Sequence, residues 1–434
     1  MAIHPPKGTH DLYGAEAEGF RYLEEVLMTL AEFYGFTPMR TPIFEATELF
    51  ARGVGASSDI VRKEMFTFPD KAGRSLTLRP EGTAGVMRAI VSNKLHAQAE
   101  LPLKYYYYGP IFRYERPQRG RYREFYQFGL ETIGDASPYR DVEVILYAIT
   151  ALGYLGLNNV VTKINFLGGA KTRDAYRQAL REYFTPHIHH MCRDCQERHQ
   201  LNPLRILDCK IDEDRKIIEK APIINDFLNE EERAYFKVVT TTLDSFGINY
   251  QIDDNLVRGL DYYSDLVFEF HLRKNETEDY GALGGGGHYT ELLQEVGGPA
   301  LAGTGLAFGM ERLYLVLKEN GLLPAPAPEV DVFVMNVGKA SVEDAFSILT
   351  LIRNSGYKAE INLDDRSFKA LFKRAERKRA PLALIIGDDE VKENVVQIKD
   401  LAKATQVTVA YEDIISYLDE FYTREAGDDA GEKA

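Results

Sequence analysis

The sequence predicts an α+β chain: a larger part built on strand hairpins, interrupted by a mainly helical insertion and followed by a small C-terminal α/β domain. Three observations carry this reading. Residues 109–134, GPIFRYERPQRGRYREFYQFGLETIG, read as strand, charged loop and strand, with Pro117 and Gly120 marking the turn. Across residues 167–246 the strand signal fades and long, charged helical patterns take over. Beyond the semi-rigid proline–alanine segment LLPAPAPEV, apolar runs at 331–337, 358–361 and 382–386 alternate with helical stretches, as in a small α/β domain.

Composition sets the bounds. A length of 434 residues suits two to four domains, and 45% hydrophobic with 27% charged residues is ordinary for a soluble globular protein. No apolar run approaches the roughly 20 residues of a membrane span, and MAIHPPKGTHDL lacks a signal-peptide profile. Three cysteines argue against a disulfide framework and for the cytoplasm. The net charge of −14 excludes a generally basic surface, so any RNA binding must rest on local basic patches.

In chain order, KGTHDLYG precedes a helix with Phe20, Leu23, Val26, Leu27 and Leu30 at helical spacing. In GFTPMRTPIFEATELFARGVG, two prolines bracket a short apolar segment, which suggests an edge or interface strand. Residues 63–85 read as two strands, a polar turn and a helix start. There Thr77, Arg79 and Glu81 share one face if the strand persists, while Glu81 equally suits the first turn of the next helix. LKYYYYGP is a tyrosine-rich strand whose tyrosines are assigned to packing.

The hairpin at 109–134 carries the first chemistry. Five arginines (113, 116, 119, 121, 123) face a single acid, Glu115. On the returning strand, alternation sets Phe125, Gln127, Gly129 and Glu131 on one face and Tyr126, Phe128 and Leu130 on the other. A Gln and a Glu beside an arginine-rich loop suit a small polar ligand next to phosphates, because the guanidinium fork donates two parallel bonds. The competing reading of the charge run alone is a solvated hairpin.

The helical insertion holds Cys192, Cys195, His199 and Cys209, a set that can make a structural zinc site. The set is partly improvised and lacks a second CxxC, so these cysteines are expected to be dispensable and no metal ligand is assigned. In NLVRGLDYYSDLVFEF (255–270), a cation can meet a carboxylate or phosphate and a tyrosine hydroxyl an imidazole nitrogen; the alternative is an amphipathic strand with a core tyrosine. The four glycines of YGALGGGGHY permit close backbone approach to a ligand, or make a flexible loop. GTGLAFGMERL is a glycine-rich strand feeding a helix that carries Arg312. Seven cations and one acid, Glu376, lie between Arg366 and Arg379, where Phe368, Leu371, Phe372 and Ala375 form an apolar stripe and Ser367 suits an N-cap. That helix presents Lys369, Lys373 and Arg377 outward, as a solvated face or an RNA contact. The tail TREAGDDAGEKA is expected to be disordered.

Taken together and in this order, these motifs resemble those of the class II aminoacyl-tRNA synthetases, in the form found in histidyl-tRNA synthetases. FRYERPQ followed by GRYREFYQ is similar to motif 2, TLRPEGT to the amino-acid-binding segment, RGLDYY to the histidine-specific signature, and GMER to motif 3. Glu124 and Tyr126 depart from the family's Gln and His, and His288 and Thr290 from its GGGRYDGL. The resemblance implies a class II synthetase-like α+β catalytic domain with an antiparallel sheet (1–166 and 247–322), an insertion (167–246) and a linker (323–330). It also implies an α/β anticodon-binding domain (331–422), with the tail at 423–434.

The implied activity is condensation of L-histidine with ATP, with Mg²⁺, and esterification of tRNA(His) by a cytoplasmic homodimer that uses no membrane. Its dimer interface would centre on Pro42. By matching positions, Arg113 and Arg258 are the catalytic cations at the carboxylate and α-phosphate, and Arg312 meets the γ-phosphate. Phe125 stacks on adenine, with Glu115 and Arg121 in the ATP region. Glu81, Thr83 and Gln127 hold the α-ammonium side of histidine and Glu131 with Tyr263 its imidazole, with Tyr262 also among the histidine-binding residues. Arg116, Lys369, Lys373 and Arg377 face tRNA. The insertion is assigned to gripping tRNA, since a pocket that hydrogen-bonds a polar side chain rejects analogues without editing. The alternative is the non-catalytic paralogue that serves as regulatory subunit of ATP phosphoribosyltransferase, which typically lacks the C-terminal domain and degrades RGLDYY.

Overall fold

Alternation along the tyrosine-rich run and its return builds a hairpin at the heart of a large sheet. The computed structural model describes residues 3–55, 58–274, 279–337, 342–364 and 367–431. Its strands are β1 (Thr37–Pro38), β2 (Phe44–Ala46), β3 (Thr67–Pro69), β4 (Ser75–Leu78), β5 (Leu103–Phe112), β6 (Glu124–Ile133), β7 (Val160–Phe166), β8 (Tyr250–Ile252), β9 (Ser264–Arg273), β10 (Asp279–Tyr289) and β11 (Gly303–Gly309), then β12 (Val332–Asn336), β13 (Ala359–Ile361), β14 (Leu382–Ile386), β15 (Val395–Asp400) and β16 (Gln406–Ala410). Two compact units divide the chain, Met1–Pro324 and Ala325–Ala434.

In the first unit eight strands pair in the order β1-β5-β6-β11-β10-β9-β7-β8, antiparallel except at the two edges, where β1 joins β5 and β8 joins β7 in parallel. The two-residue strand β1 is a sheet edge, which suits Pro38 because proline has no N–H to give a ladder. A separate small sheet has the order β2-β4-β3. One face of the large sheet is covered by the helices Gly14–Phe33, Pro138–Tyr154 and Met310–Glu319, with Phe20, Leu23, Tyr147, Phe268, Phe308 and Leu313 in one buried cluster.

The glycine-rich segment is a central strand rather than a loop. A Cβ on Gly286 would lie 1.9 Å from the Gly305 carbonyl oxygen, and one on Gly285 would lie 2.7 Å from Arg258 Nη1. The glycines therefore let β10 approach β11 closely and leave room for an arginine side chain.

The helices of 167–246 have no core of their own. Tyr176, Leu180 and Phe184 pack in one cluster with Val86, Met87, Tyr263 and Tyr289, while Val239 and Leu243 join the cluster on the other helices. Fully burying such side chains stabilises by about 1.5–3 kcal/mol each, so these helices complete the fold around the site.

In the second unit β13-β12-β14-β15-β16 form a sheet, parallel through β13, β12 and β14 and antiparallel beyond. The helix Phe368–Arg377 buries Leu371 and Ala375, but Phe368 is 47% exposed, so the apolar stripe is shorter than its spacing suggested. Ser367 makes no side-chain capping bond. Three cations are drawn into acid pairs: Arg374 with Glu360 and Asp364, Lys378 with Glu329 and Glu360, and Arg379 with Glu329. Lys369, Lys373 and Arg377 stay exposed, and Arg366 lies outside the described residues. The helix Ile414–Gly431 runs through most of the tail expected to be disordered, which contains no proline to stop it; residues 432–434 lie outside the described residues.

Candidate active site

Strand β6 aims Phe125 and Gln127 into a cavity of about 320 Å³ that β5, β9, β10, β11 and the start of the helix Thr83–Ser92 enclose. Strand β4 stops at Leu78, and Pro80 breaks the alternation that would have set Glu81 beside Thr77 and Arg79. Arg79 instead turns away, its Nε donating to the Pro110 carbonyl at 2.7 Å. The Glu81 carboxylate accepts the backbone N–H of Thr83 (2.7 Å) and of Ala84 (2.9 Å), so it caps the helix and lines the cavity at once. Burial raises its pKa despite these bonds.

Glu131 is the residue expected at the imidazole. It does not line the cavity but lies one layer beneath, where Oε1 accepts the Thr83 hydroxyl and Oε2 the Tyr289 hydroxyl, each at 2.6 Å. At that end of β6, Ile133 packs in one buried cluster with Val86 and Met87 of the helix Thr83–Ser92 and with Tyr289. Burial lifts the Glu131 pKa to about 8, against the pull of the Thr83, Tyr289 and Tyr107 hydroxyls. The folded state therefore binds this proton more tightly than the unfolded chain, and stability from it is lost as pH rises from about 4.5 through about 8. Glu131→Gln is expected to flatten that dependence. Its stability, compared with wild type from pH 5 to pH 8.5 by melting curves, should gain progressively, on the order of a few kcal/mol in total. Parallel melting curves would refute the raised carboxyl.

Three guanidiniums converge on the cavity. Arg113 leaves β5, donates from Nε to the Pro80 carbonyl (2.8 Å) and sets its guanidinium carbon 5.5 Å from the Phe125 ring centroid. Arg312, on the helix Met310–Glu319, donates from Nη1 to the Ala282 carbonyl at 2.7 Å. Arg258 sits in the loop before β9, with Nη1 on Glu269 Oε1 and its guanidinium 5.8 Å from the Tyr263 ring centroid. Asp261, three residues further on, accepts from Arg205 Nε (3.0 Å) and Asn202 Nδ2 (3.2 Å). Burial works against the Glu269 charge, but Arg258 and His271 outweigh it and hold the carboxyl down at about 2. Arg258 thus faces the cavity as a cation whose orientation is fixed from behind.

The arginines of the hairpin divide by task. Arg121 and Glu115 line the rim 3.5 Å apart, and Glu115 lies 3.9 Å from Arg113. Arg116 is exposed on the loop. Arg119 pairs with Glu319, and Arg123 lies 3.7 Å over the Tyr114 ring.

Thr83, Tyr262 and Tyr263 complete the lining. Sequence reasoning missed Tyr107, Glu269 and Glu311, which line it too. Tyr107, assigned to packing, is buried between Gly82 and Gly129, where a Cβ would come within 2.2 and 2.3 Å of its ring. Glu311 accepts the Tyr126 backbone N–H at 2.8 Å, and burial lifts its pKa to about 7. Its neighbour Arg312 was the available signal.

Three of the four departures from the family pattern have structural partners. Tyr126 stacks on Tyr108 on the opposite face of β6, at 5.5 Å between ring centroids. His288 Nδ1 lies 3.0 Å from Asp141 Oδ1, and Tyr235 donates to Asp141 Oδ2 at 2.8 Å, tying β10 to the helices Pro138–Tyr154 and Glu230–Ser245. Thr290 Oγ1 lies 3.3 Å from Ser264 Oγ, and nothing in the structure explains Glu124. Among the cysteines, His199 is not a fourth member: its Nε2 faces the Arg181 carbonyl at 3.2 Å, and Asp214 takes the place beside the sulfurs.

The family profile described as histidyl-tRNA synthetase matches residues 8–313, and one described as anticodon binding domain matches residues 331–421. The chain belongs to the histidyl-tRNA synthetase family. A histidine–tRNA ligase of Geobacillus sp. (strain WCH70) is 44% identical over 97% of this chain and 99% of its own. One of Bacillus subtilis (strain 168) is 44% identical over 96% and 98%. Among solved structures, apo histidyl-tRNA synthetase of S. aureus superposes with a TM-score of 0.81 at 37% identity, over 96% of this chain and all of that one. These likenesses extend through both units.

Proposed function

We propose that the protein is a histidine–tRNA ligase that activates L-histidine with ATP and transfers it to the 3′ end of tRNA(His). The observation that carries this is the meeting of Arg113, Arg258 and Arg312 with Glu81, Thr83, Gln127 and two tyrosines around one cavity. In the first step a histidine carboxylate oxygen bonds the α-phosphorus, and the bond from phosphorus to the bridging oxygen breaks to release pyrophosphate. In the second, a tRNA 3′-terminal hydroxyl attacks the acyl carbon and AMP leaves. Negative charge grows on phosphate oxygens in the first step, and guanidiniums held in place stabilise it without reorganising.

On this reading Arg113 and Arg258 meet the carboxylate and α-phosphate, Arg312 the γ-phosphate, and Phe125 the adenine, with Arg121 at the rim. Glu81, Thr83 and Gln127 receive the α-ammonium group. Tyr262 and Tyr263 face the imidazole, and Glu131 acts through Thr83 and Tyr289 as a positioning residue. Mg²⁺ typically takes one or two carboxylates together with substrate phosphates, and Glu115 with Glu311, both lining the cavity, fits that donor set. When bound, the ion would neutralise phosphate charge.

Arg116, Lys369, Lys373 and Arg377, all exposed, are proposed to contact tRNA. A cytoplasmic homodimer is proposed, with Ile43, Phe44 and Phe68 (40–52% exposed) as its apolar contact; a one-chain mass in sedimentation would contradict it. No helix among the described residues is long and apolar enough to cross a membrane. Incubation with labelled histidine, ATP and tRNA(His) tests the whole reaction: an ester on the tRNA is expected, and its absence with active substrates would overturn the assignment.

A further inference from the structure

From residues outside the cavity, we propose that Cys192, Cys195, Cys209 and Asp214 bind one structural zinc ion that staples the inserted segment against the loop carrying Arg258. The spacing of the cysteines alone argued against a metal, because it offered only His199 as the fourth ligand. The fold supplies Asp214 instead. Three sulfurs and a carboxylate oxygen lie within 4.8 Å of one another, and Cys195, Cys209 and Asp214 are buried while Cys192 is partly exposed. That leaves a side from which an ion can enter.

The distances suit zinc. Cys192 Sγ and Cys209 Sγ are 3.8 Å apart. Zinc–sulfur arms of about 2.3 Å at tetrahedral angles place two sulfurs about 3.8 Å apart. A disulfide would need about 2.05 Å, and all three cysteines are free. Cys209 Sγ lies 3.2 Å from Asp214 Oδ2.

Independently, Asp214 is only 1% exposed, and its oxygens meet the Cys192 N–H and the Cys209 thiol rather than a cation. Buried carboxylates are as a rule paired with a cation or coordinated to a metal. A surrounding hydrogen-bond shell is already in place. The Cys192 N–H points at both Asp214 oxygens (3.2 and 3.1 Å), and the Cys195 N–H at Cys192 Sγ (3.5 Å). Such donors orient ligands and stabilise thiolates. Binding releases the three thiol protons to solvent and moves no electrons.

The consequence reaches the active site through the stretch between these ligands. Asn202 and Arg205 hold Asp261, Arg205 Nη2 also donates to the Gly259 carbonyl at 2.6 Å, and Arg198 holds Asp59 at 3.0 Å. Closing the segment at both ends fixes the groups that fix the loop.

The test uses the full-length protein, purified in reducing buffer without chelator. Elemental analysis is expected to find about one zinc per chain, and zinc removal to lower the melting temperature by at least about 5 °C. Cobalt(II) added to the metal-free protein should give the thiolate charge-transfer and visible bands of a tetrahedral site. Both metal content and bands should vanish in Cys195→Ser. Asp214→Asn, nearly identical in shape, should read the same weakening should the serine variant fail to fold. Metal-free protein with three titratable thiols and no cobalt spectrum would overturn the proposal, as would a Cys192–Cys209 disulfide in freshly reduced-purified protein.

Discussion

Arg258→Ala is expected to lower histidine-dependent pyrophosphate exchange by about a hundredfold to a thousandfold, the typical loss when one pre-oriented donor to a charged transition state is removed. The structure adds a second consequence. Alanine leaves the Glu269 carboxylate without its guanidinium, and breaking a buried pair costs about 3–5 kcal/mol of stability. With the two side chains 19% and 20% exposed, the lower end applies. The variant should therefore melt earlier as well as react slowly. The two effects separate in the double variant Arg258→Ala/Glu269→Gln, which removes the stranded charge. It should regain much of the melting temperature and none of the exchange. Lysine at 258 should recover only part of the rate, because it keeps the charge without the planar fork. Exchange within a few-fold of wild type in the folded alanine variant would remove Arg258 from the reaction.

Truncation after Pro328 should separate the two half-reactions. Every residue lining the cavity lies in the unit Met1–Pro324, which has its own buried clusters, so adenylate formation should persist at a rate near that of the full chain. Charging of tRNA should fall. If the second unit supplies about 3 kcal/mol of tRNA binding, kcat/KM for tRNA drops by about a hundredfold at physiological salt. The exposed Lys369, Lys373 and Arg377 are the candidate phosphate contacts, so the full-length enzyme should lose tRNA affinity with salt more steeply than the truncated one. Equal charging by both proteins would end the anticodon-domain reading, and sedimentation of the truncated protein shows whether the dimer survives.

The parts of this molecule that were legible beforehand are those that local periodicity encodes. The alternation along β6 placed Phe125 and Gln127 on the cavity, and the apolar spacing of Phe20, Leu23 and Leu27 marked a buried helix stripe. Where one residue changes the local rule, the sequence left two readings open. Pro80 ends the alternation before Glu81, and four glycines that resemble a loop are a strand pressed against its neighbour. Contacts between residues distant in sequence were out of reach. Glu269 holds Arg258 across the turn into β9, Tyr107 fills the space over Gly82 and Gly129, and Glu131 accepts the hydroxyl of Tyr289 from 158 residues away. The same limit hid Asp214. A ligand set assembled by a fold cannot be completed from spacing when its fourth member lies outside the motif.

The most direct measurement of the central claim is ATP–pyrophosphate exchange with each of the twenty amino acids offered singly. Exchange driven by histidine and by no other amino acid is the predicted result. Exchange with a different amino acid, or with none while histidine still binds, would contradict it.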